Sequence, residues 1–164
     1  MIPTVASLLS FAVFEPTSEV TSATIHIIAQ AQPEAVNDYA QSMRRLEDDG
    51  RPAAVIIALL GEDPVGVAVL TQSTMTHDLG ELAWVNVHPT FRRQGIGREM
   101  VRYALQTAAE HGWSVILATS SPEFYIRCGL DTAAPLTQNR WLIIAAAGSL
   151  DRAVTPSTAS QTAS

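Results

Sequence analysis

Apolar positions change their period several times along this chain, and each change marks an element. Leu8 to Phe14 reads as a first strand, ended by Glu15-Pro16-Thr17. Ser22 to Gln30 predicts a short helix. Pro33 fits the first turn of a second one, in which Val36, Tyr39, Ala40, Met43 and Leu46 recur at helical spacing before Gly50. Two apolar runs, Ala54 to Leu60 and Val65 to Thr71, flank Gly61-Glu62-Asp63-Pro64 and predict a hairpin. Leu79 to Val87 is a further strand, broken by His88-Pro89. A helix then runs from Gly95 to about Glu110. Ile96, Met100, Ala104 and Ala108 share one of its faces beside Val101 and Leu105, while Arg98, Glu99, Arg102, Gln106 and Glu110 face water. Gly112 ends this helix. Trp113 to Thr119 is a buried strand, Pro122 starts a short helix bearing Tyr125, and Trp141 to Ala147 is a final strand.

The order β-αα-β-β-β-α-β-α-β places the chain in the α/β class, a mixed sheet with helices on its faces. A length of 164 residues suits one domain, expected over 1–147. The Ser-, Thr-, Ala- and Gln-rich stretch 148–164 reads as a disordered tail. No apolar run is long enough to span a membrane, and Val5 to Phe14 lacks the preceding basic segment of a signal peptide. One cysteine excludes an internal disulfide and fits a reducing cytoplasm, the expected location. A net charge of −6 without a basic patch argues against nucleic acid and suits a cationic amine. All ten basic residues are arginine, which base composition of the gene explains more simply than escape from lysine modification.

Arg92-Arg93-Gln94-Gly95-Ile96-Gly97-Arg98 changes the picture. It lies between a strand and a helix start, where backbone N–H groups lack intrahelical partners and the helix dipole favours an anion. Gly95 and Gly97 let an oxygen approach the backbone. A dinucleotide fingerprint would need a third glycine where Met100 stands, and a P-loop would need a lysine, which this chain lacks.

The pattern that fits is Val-His-Pro-x-x-Arg-x-x-Gly-x-Gly, filled by Val87, His88, Pro89, Arg92, Gly95 and Gly97. It resembles the acyl-CoA-binding motif of the GNAT superfamily of N-acetyltransferases. Phe124-Tyr125-Ile126-Arg127-Cys128-Gly129-Leu130 resembles that family's second motif, Tyr-x-x-x-Gly-Phe, with leucine in the last position. The two motifs cover roughly Glu81 to Leu130. The resemblance implies a GNAT-like mixed sheet of six to seven strands flanked by about four helices. Its front half would be antiparallel, with the fourth and fifth strands parallel and splayed apart.

The resemblance also implies acetyl-CoA as co-substrate. Backbone groups of Val85, Asn86 and Val87 would pair with pantetheine and polarise the thioester. Arg92, with amides of Arg93, Gln94, Gly95, Ile96, Gly97 and Arg98, would hold the pyrophosphate, and Arg102 would add attraction. Tyr125 takes the general-acid position. For the base, the histone-acetylating branch places a carboxylate eleven residues before the motif's first Arg or Gln, which here is Glu81. Other members place a glutamate where this chain has Trp84, or one near the end of the fifth strand, where Ile116-Leu117-Ala118-Thr119 offers none. The asparagine often found before the tyrosine helix is replaced by Ser120-Ser121, read here as a helix cap. His88 is read as a turn residue, Cys128 as core, and His26, His77 and His111 form no metal spacing.

The expected activity is direct transfer of acetyl to a small amine or amino acid in a ternary complex, with no membrane or nucleic-acid partner and a homodimer left open. The alternative on the same fold is a non-catalytic acyl-CoA sensor or interaction module. A nucleotide-binding regulatory domain rests on the glycine loop alone. Ala29 to Glu34 and the region past Ala133, which shape the acceptor site in this family, carry no acidic cluster of the kind an aminoglycoside would call for.

Overall fold

Thr17 opens the helical layer earlier than the apolar periodicity predicts. The structure, a computed structural model, describes residues 8–130, 133–138 and 140–145. Strand β1 (Leu9–Phe14) is followed by helix α1 (Ser18–Ala31), whose first turn is capped by Thr17 Oγ1 accepting from Val20 N at 3.2 Å. The Glu15-Pro16-Thr17 break is thus a cap as well as a strand end. A 3₁₀ turn (Pro33–Ala35) leads into α2 (Val36–Asp49), which stops at Gly50 with φ +64°. Strands β2 (Ala53–Leu60) and β3 (Asp63–Gln72) form the expected hairpin, and β4 covers Leu79–Val87. A second 3₁₀ turn (Pro89–Phe91) precedes α3 (Ile96–Glu110), β5 (Ser114–Thr119) and α4 (Pro122–Arg127).

Two further strands close the list, β6 (Ala133–Thr137) and β7 (Arg140–Ala145). The sequence reading has no counterpart for β6. It is short and carries Pro135, which cannot donate to a ladder and is tolerated because β6 is the edge of the sheet. The expected final strand therefore pairs as a hairpin with a segment that gave no strand signal. The tail from residue 148 lies outside the described residues.

The strands form one mixed sheet in the order β1-β2-β3-β4-β5-β7-β6, and four α-helices occur among the described residues. β1, β2 and β3 pair antiparallel. β4 and β5 pair parallel, with Leu79–Glu81 opposite Ser114–Ile116. β7 runs antiparallel to both β5 and β6. This is the six- to seven-stranded sheet with about four helices that the motif resemblance implied.

The chain divides into two compact units. One holds the described residues up to Thr71 together with Trp84–Val101; the other holds Gln72–Ala83 and the residues from Arg102 on. In the first, α1 buries Ile27 and Ile28, and α2 buries Tyr39 and Met43, against Val55, Ile57, Val67 and Val69 of the hairpin. Tyr39 pays no unsatisfied-group cost, because its hydroxyl lies 2.6 Å from Thr24 Oγ1 on α1. In the second, Trp113 just before β5, Val115 and Leu117 on it, and Ala104, Leu105 and Ala108 on α3 are buried. Trp113 also stacks on His111, 4.4 Å between ring centroids. Among the described residues no helix is long and apolar enough to cross a membrane.

Thr24 Oγ1 also lies 2.9 Å from Val20 O, so it keeps a partner if the Tyr39 hydroxyl is removed. Tyr39→Phe should therefore cost only about 1 kcal/mol. The check is the urea midpoint at unchanged m-value; a loss of several kcal/mol would contradict this account.

Candidate functional site

β4 has one residue too many for its partner. Ser73 N donates to Leu79 O and His88 N to Val65 O, each at 2.8 Å. Between these bonds β4 takes nine steps, Leu79 to His88, where β3 takes eight, Val65 to Ser73. The extra residue is absorbed at Trp84, whose φ is +58°. A bulky side chain rarely adopts that conformation. The Trp84 ring holds it there, packing on the first unit's core and meeting Tyr39 edge-on at 5.3 Å. After the bulge the in-out alternation stops, and Val85, Asn86 and Val87 are all half-buried. The position read from sequence as lacking a glutamate is thus the one that sets the course of the next three residues.

A close approach fixes the depth of this segment. A Cβ on Gly66 of β3 would lie 3.3 Å from Asn86 O, 3.2 Å from Met100 Sδ and 3.2 Å from Ala58 Cβ. Gly66 therefore lets β4 and the start of α3 sit where they do.

From Val87 the chain turns through His88–Phe91. Arg92 Nε donates back to Val87 O at 3.2 Å. Arg93 then takes φ +62° and Gly95 φ +81°. Open space surrounds a Cβ placed on Gly95, so its need for glycine is conformational. Gly95 O accepts from Glu99 N at 3.1 Å, which makes Gly95 the first carbonyl of α3. The amides that follow have no partner within the helix. Arg92, Arg93, Gln94, Gly95 and Arg98 are exposed, whereas Ile96 anchors the turn in the core. Open amides, exposed guanidinium groups and the positive end of a helix suit a pyrophosphate. All the residues expected to hold the cofactor, Val85–Val87 and Arg92–Arg98, fall in the first unit.

Glu81 and Tyr125 fall in the second unit. Glu81 is half-buried, the third residue of β4, and its Oε1 accepts from Ser73 Oγ at 3.1 Å. Ser73 itself is buried, and no motif or spacing along the chain points to it. Tyr125 sits on α4, and the spacing of its motif has a backbone cause. Leu130 N donates to Tyr125 O at 3.1 Å and Gly129 N to Ile126 O at 2.9 Å, while Gly129 takes φ +93°. These are the two bonds of a Schellman motif, with tyrosine at C3, glycine at C′ and an apolar residue at C″. Tyr125 and Leu130 are both buried. Burial, and secondarily Cys128, pushes the Tyr125 phenol up to about 12.

Of the other readings of these segments, only the expected helix cap changes. Ser121 makes no side-chain cap to α4; instead Thr119 Oγ1 accepts from Ser121 N at 2.9 Å. His88 is a turn residue, with Nδ1 accepting from Thr90 N at 3.2 Å. Cys128 is buried.

Residues 22–130 match the model of the acetyltransferase (GNAT) family. YhbS, a GNAT family N-acetyltransferase from Escherichia coli solved in complex with CoA, superposes with a TM-score of 0.72 at 17% identity, over 94% of this chain and 88% of that one. PaiA N-acetyltransferase from Thermoplasma acidophilum, in complex with coenzyme A, gives 0.66 at 12% identity over 84% and 99%. An aminoglycoside 6'-acetyltransferase type Ii gives 0.64 at 20% identity over 84% and 96%. At these identities the likeness is one of fold. No curated protein sequence matches the chain significantly.

Two outcomes follow for stability. Gly66→Ala should cost about 1–2 kcal/mol, because backbone and a β-carbon must give way; a midpoint equal to wild type in urea would show that they yield freely. The Tyr125 phenol ordinarily titrates at 10.0 and is raised to about 12 in the folded chain. The folded state therefore holds this proton more tightly. Its stabilisation is complete below about pH 10 and falls by roughly 2–3 kcal/mol as pH rises towards about 12. Urea unfolding across that window should show the extra loss in wild type and not in Tyr125→Phe.

Proposed function

This chain belongs to the GNAT acetyltransferase family, and from that premise we propose that it moves an acetyl group from acetyl-CoA to a primary amine of a small molecule or amino acid, directly within a ternary complex. One observation carries the reading: a bulged strand end runs into a turn with two left-handed residues and an open helix N-terminus, on the family's own spacing. The parallel register of β4 with β5 covers only Leu79–Glu81, and backbone groups of Val85–Val87, beyond it on β4, are the proposed partners of the pantetheine arm and thioester carbonyl. The amides from Arg93 to Arg98, with the guanidinium groups of Arg92, Arg93 and Arg98, take the pyrophosphate.

The reaction forms one bond and breaks one. The neutral amine nitrogen attacks the thioester carbon, the C–S bond breaks, and the amine's proton and the thiolate's charge must both be dealt with. An alkylammonium ion has a pKa of about 10, so it must be deprotonated first. Glu81 is the proposed base, with Ser73 fixing its carboxylate. Tyr125 is the proposed acid. A phenol at about 12 stays protonated at neutral pH and always has a hydrogen to offer. Full transfer to a thiolate of ordinary pKa about 8.5 would run uphill by roughly 5 kcal/mol. Tyr125 therefore serves as a hydrogen-bond donor to the departing sulfur, with complete proton transfer following only as other groups supply it.

The acceptor panel should span amino acids, polyamines, peptide N-termini and aminoglycosides, the last because one fold neighbour acts on them by name. Wild type should bind acetyl-CoA at micromolar concentration and release thiol with at least one amine. Tyr125→Phe and Glu81→Gln should each lower turnover about 100-fold and leave acetyl-CoA affinity within about two-fold. Unchanged turnover removes that residue from the mechanism. Tight acetyl-CoA binding with no thiol release across the panel would favour the non-catalytic acyl-CoA sensor instead.

A further inference from the structure

We propose that His88 is a positioning residue for the acyl-CoA loop: its unprotonated Nδ1 holds the turn that joins β4 to Arg92–Arg98. The inference rests on the reading of that loop as the acyl-CoA grip.

The turn is held by hydrogen bonds more than by packing. Pro89, Thr90 and Arg92 are exposed, and Phe91 is only half-buried. His88 N ties the start of the turn to Val65 O at 2.8 Å, and His88 O accepts from Phe91 N at 2.9 Å. Arg92 Nε returns to Val87 O at 3.2 Å, closing the turn on the strand that would carry the thioester. Within this ring the Thr90 amide is satisfied by a side chain, His88 Nδ1, at 3.2 Å. That bond needs a lone pair on Nδ1. A protonated imidazole has two donors and no acceptor, so it would aim an N–H at the Thr90 N–H.

Two aromatic rings flank the imidazole. His26 of α1 faces it at 6.4 Å between centroids, Phe91 packs edge-on at 5.7 Å, and the Arg92 guanidinium lies on the same turn. The brace therefore exists only with the neutral imidazole, and protonation of the ring would remove it. The loop's own residues need not titrate for acyl-CoA binding to weaken. With Nδ1 committed to Thr90, His88 has a role distinct from that of a general base.

The test is calorimetry with coenzyme A at about pH 8 and about pH 5.5, on the full chain as wild type, His88→Ala, His88→Asn and His26→Gln. Asparagine offers an acceptor to the backbone two residues on and does not titrate. At the higher pH, His88→Asn should bind within about two-fold of wild type and His88→Ala about 5- to 10-fold more weakly. At the lower pH every variant shares the titration of the ligand's phosphate. Wild type and His26→Gln should lose a further 5- to 10-fold relative to His88→Asn. The Thr90 amide resonance should move with the His88 ring titration in wild type. Equal affinities of His88→Ala and wild type at the higher pH, or a wild-type to His88→Asn ratio that is constant between the two pH values, overturns the inference. If His88→Ala fails to fold, that ratio decides alone. Absence of coenzyme A binding by wild type at about pH 8 overturns the acyl-CoA reading itself, and the inference with it.

Discussion

Trp84 carries a backbone conformation that its own side chain opposes. A tryptophan at φ +58° costs of order 1–3 kcal/mol. Such a residue persists only where its surroundings leave it no alternative. Here the ring is held by Tyr39 and the apolar cluster that α1 and α2 bury against the hairpin. The core thus sets the strand's course, and the strand's course sets the backbone of Val85–Val87. The chemistry proposed for those three residues depends on packing made by side chains of the core.

Positive φ recurs at other turns of the chain. Arg93 and Gly95 turn the loop, and Gly112 and Gly129 end the two helices that follow, all at positive φ. Gly112 repeats the pair of bonds seen at Gly129, with Trp113 N reaching Ala108 O and Gly112 N reaching Ala109 O. The Tyr-x-x-x-Gly spacing is therefore the spacing of a helix stop. It explains why the glycine lies four residues after the tyrosine whether or not the phenol takes part in a reaction. Burial raises the Tyr125 phenol to about 12 and so makes it a weaker acid than a free tyrosine.

Most elements were legible from period and punctuation. The apolar face of α3, Ile96, Met100, Ala104 and Ala108 with Val101 and Leu105, is buried as read. So are Tyr39 and Met43 on α2. The failures are local and physical. Periodicity starts α1 late because its first turn is polar and held by a threonine cap rather than by an apolar stripe. β6 carries no strand signal because an edge strand needs neither a long apolar run nor an amide at Pro135. Ser121 has the sequence of a cap, but its amide is taken by Thr119.

The sequence by itself determined the order of elements, the anion-binding turn and the two motifs that place the chain in its family. These are local properties, fixed by glycine, proline and side-chain periodicity within a few residues. Only the tertiary structure decided that Trp84 is a bulge, that Gly66 admits Asn86 and Met100, and that Ser73 holds Glu81. Each depends on register between strands, and register is set by the fit of two segments rather than by either alone. A count along β4 gives no sign of an extra residue until β3 is laid beside it.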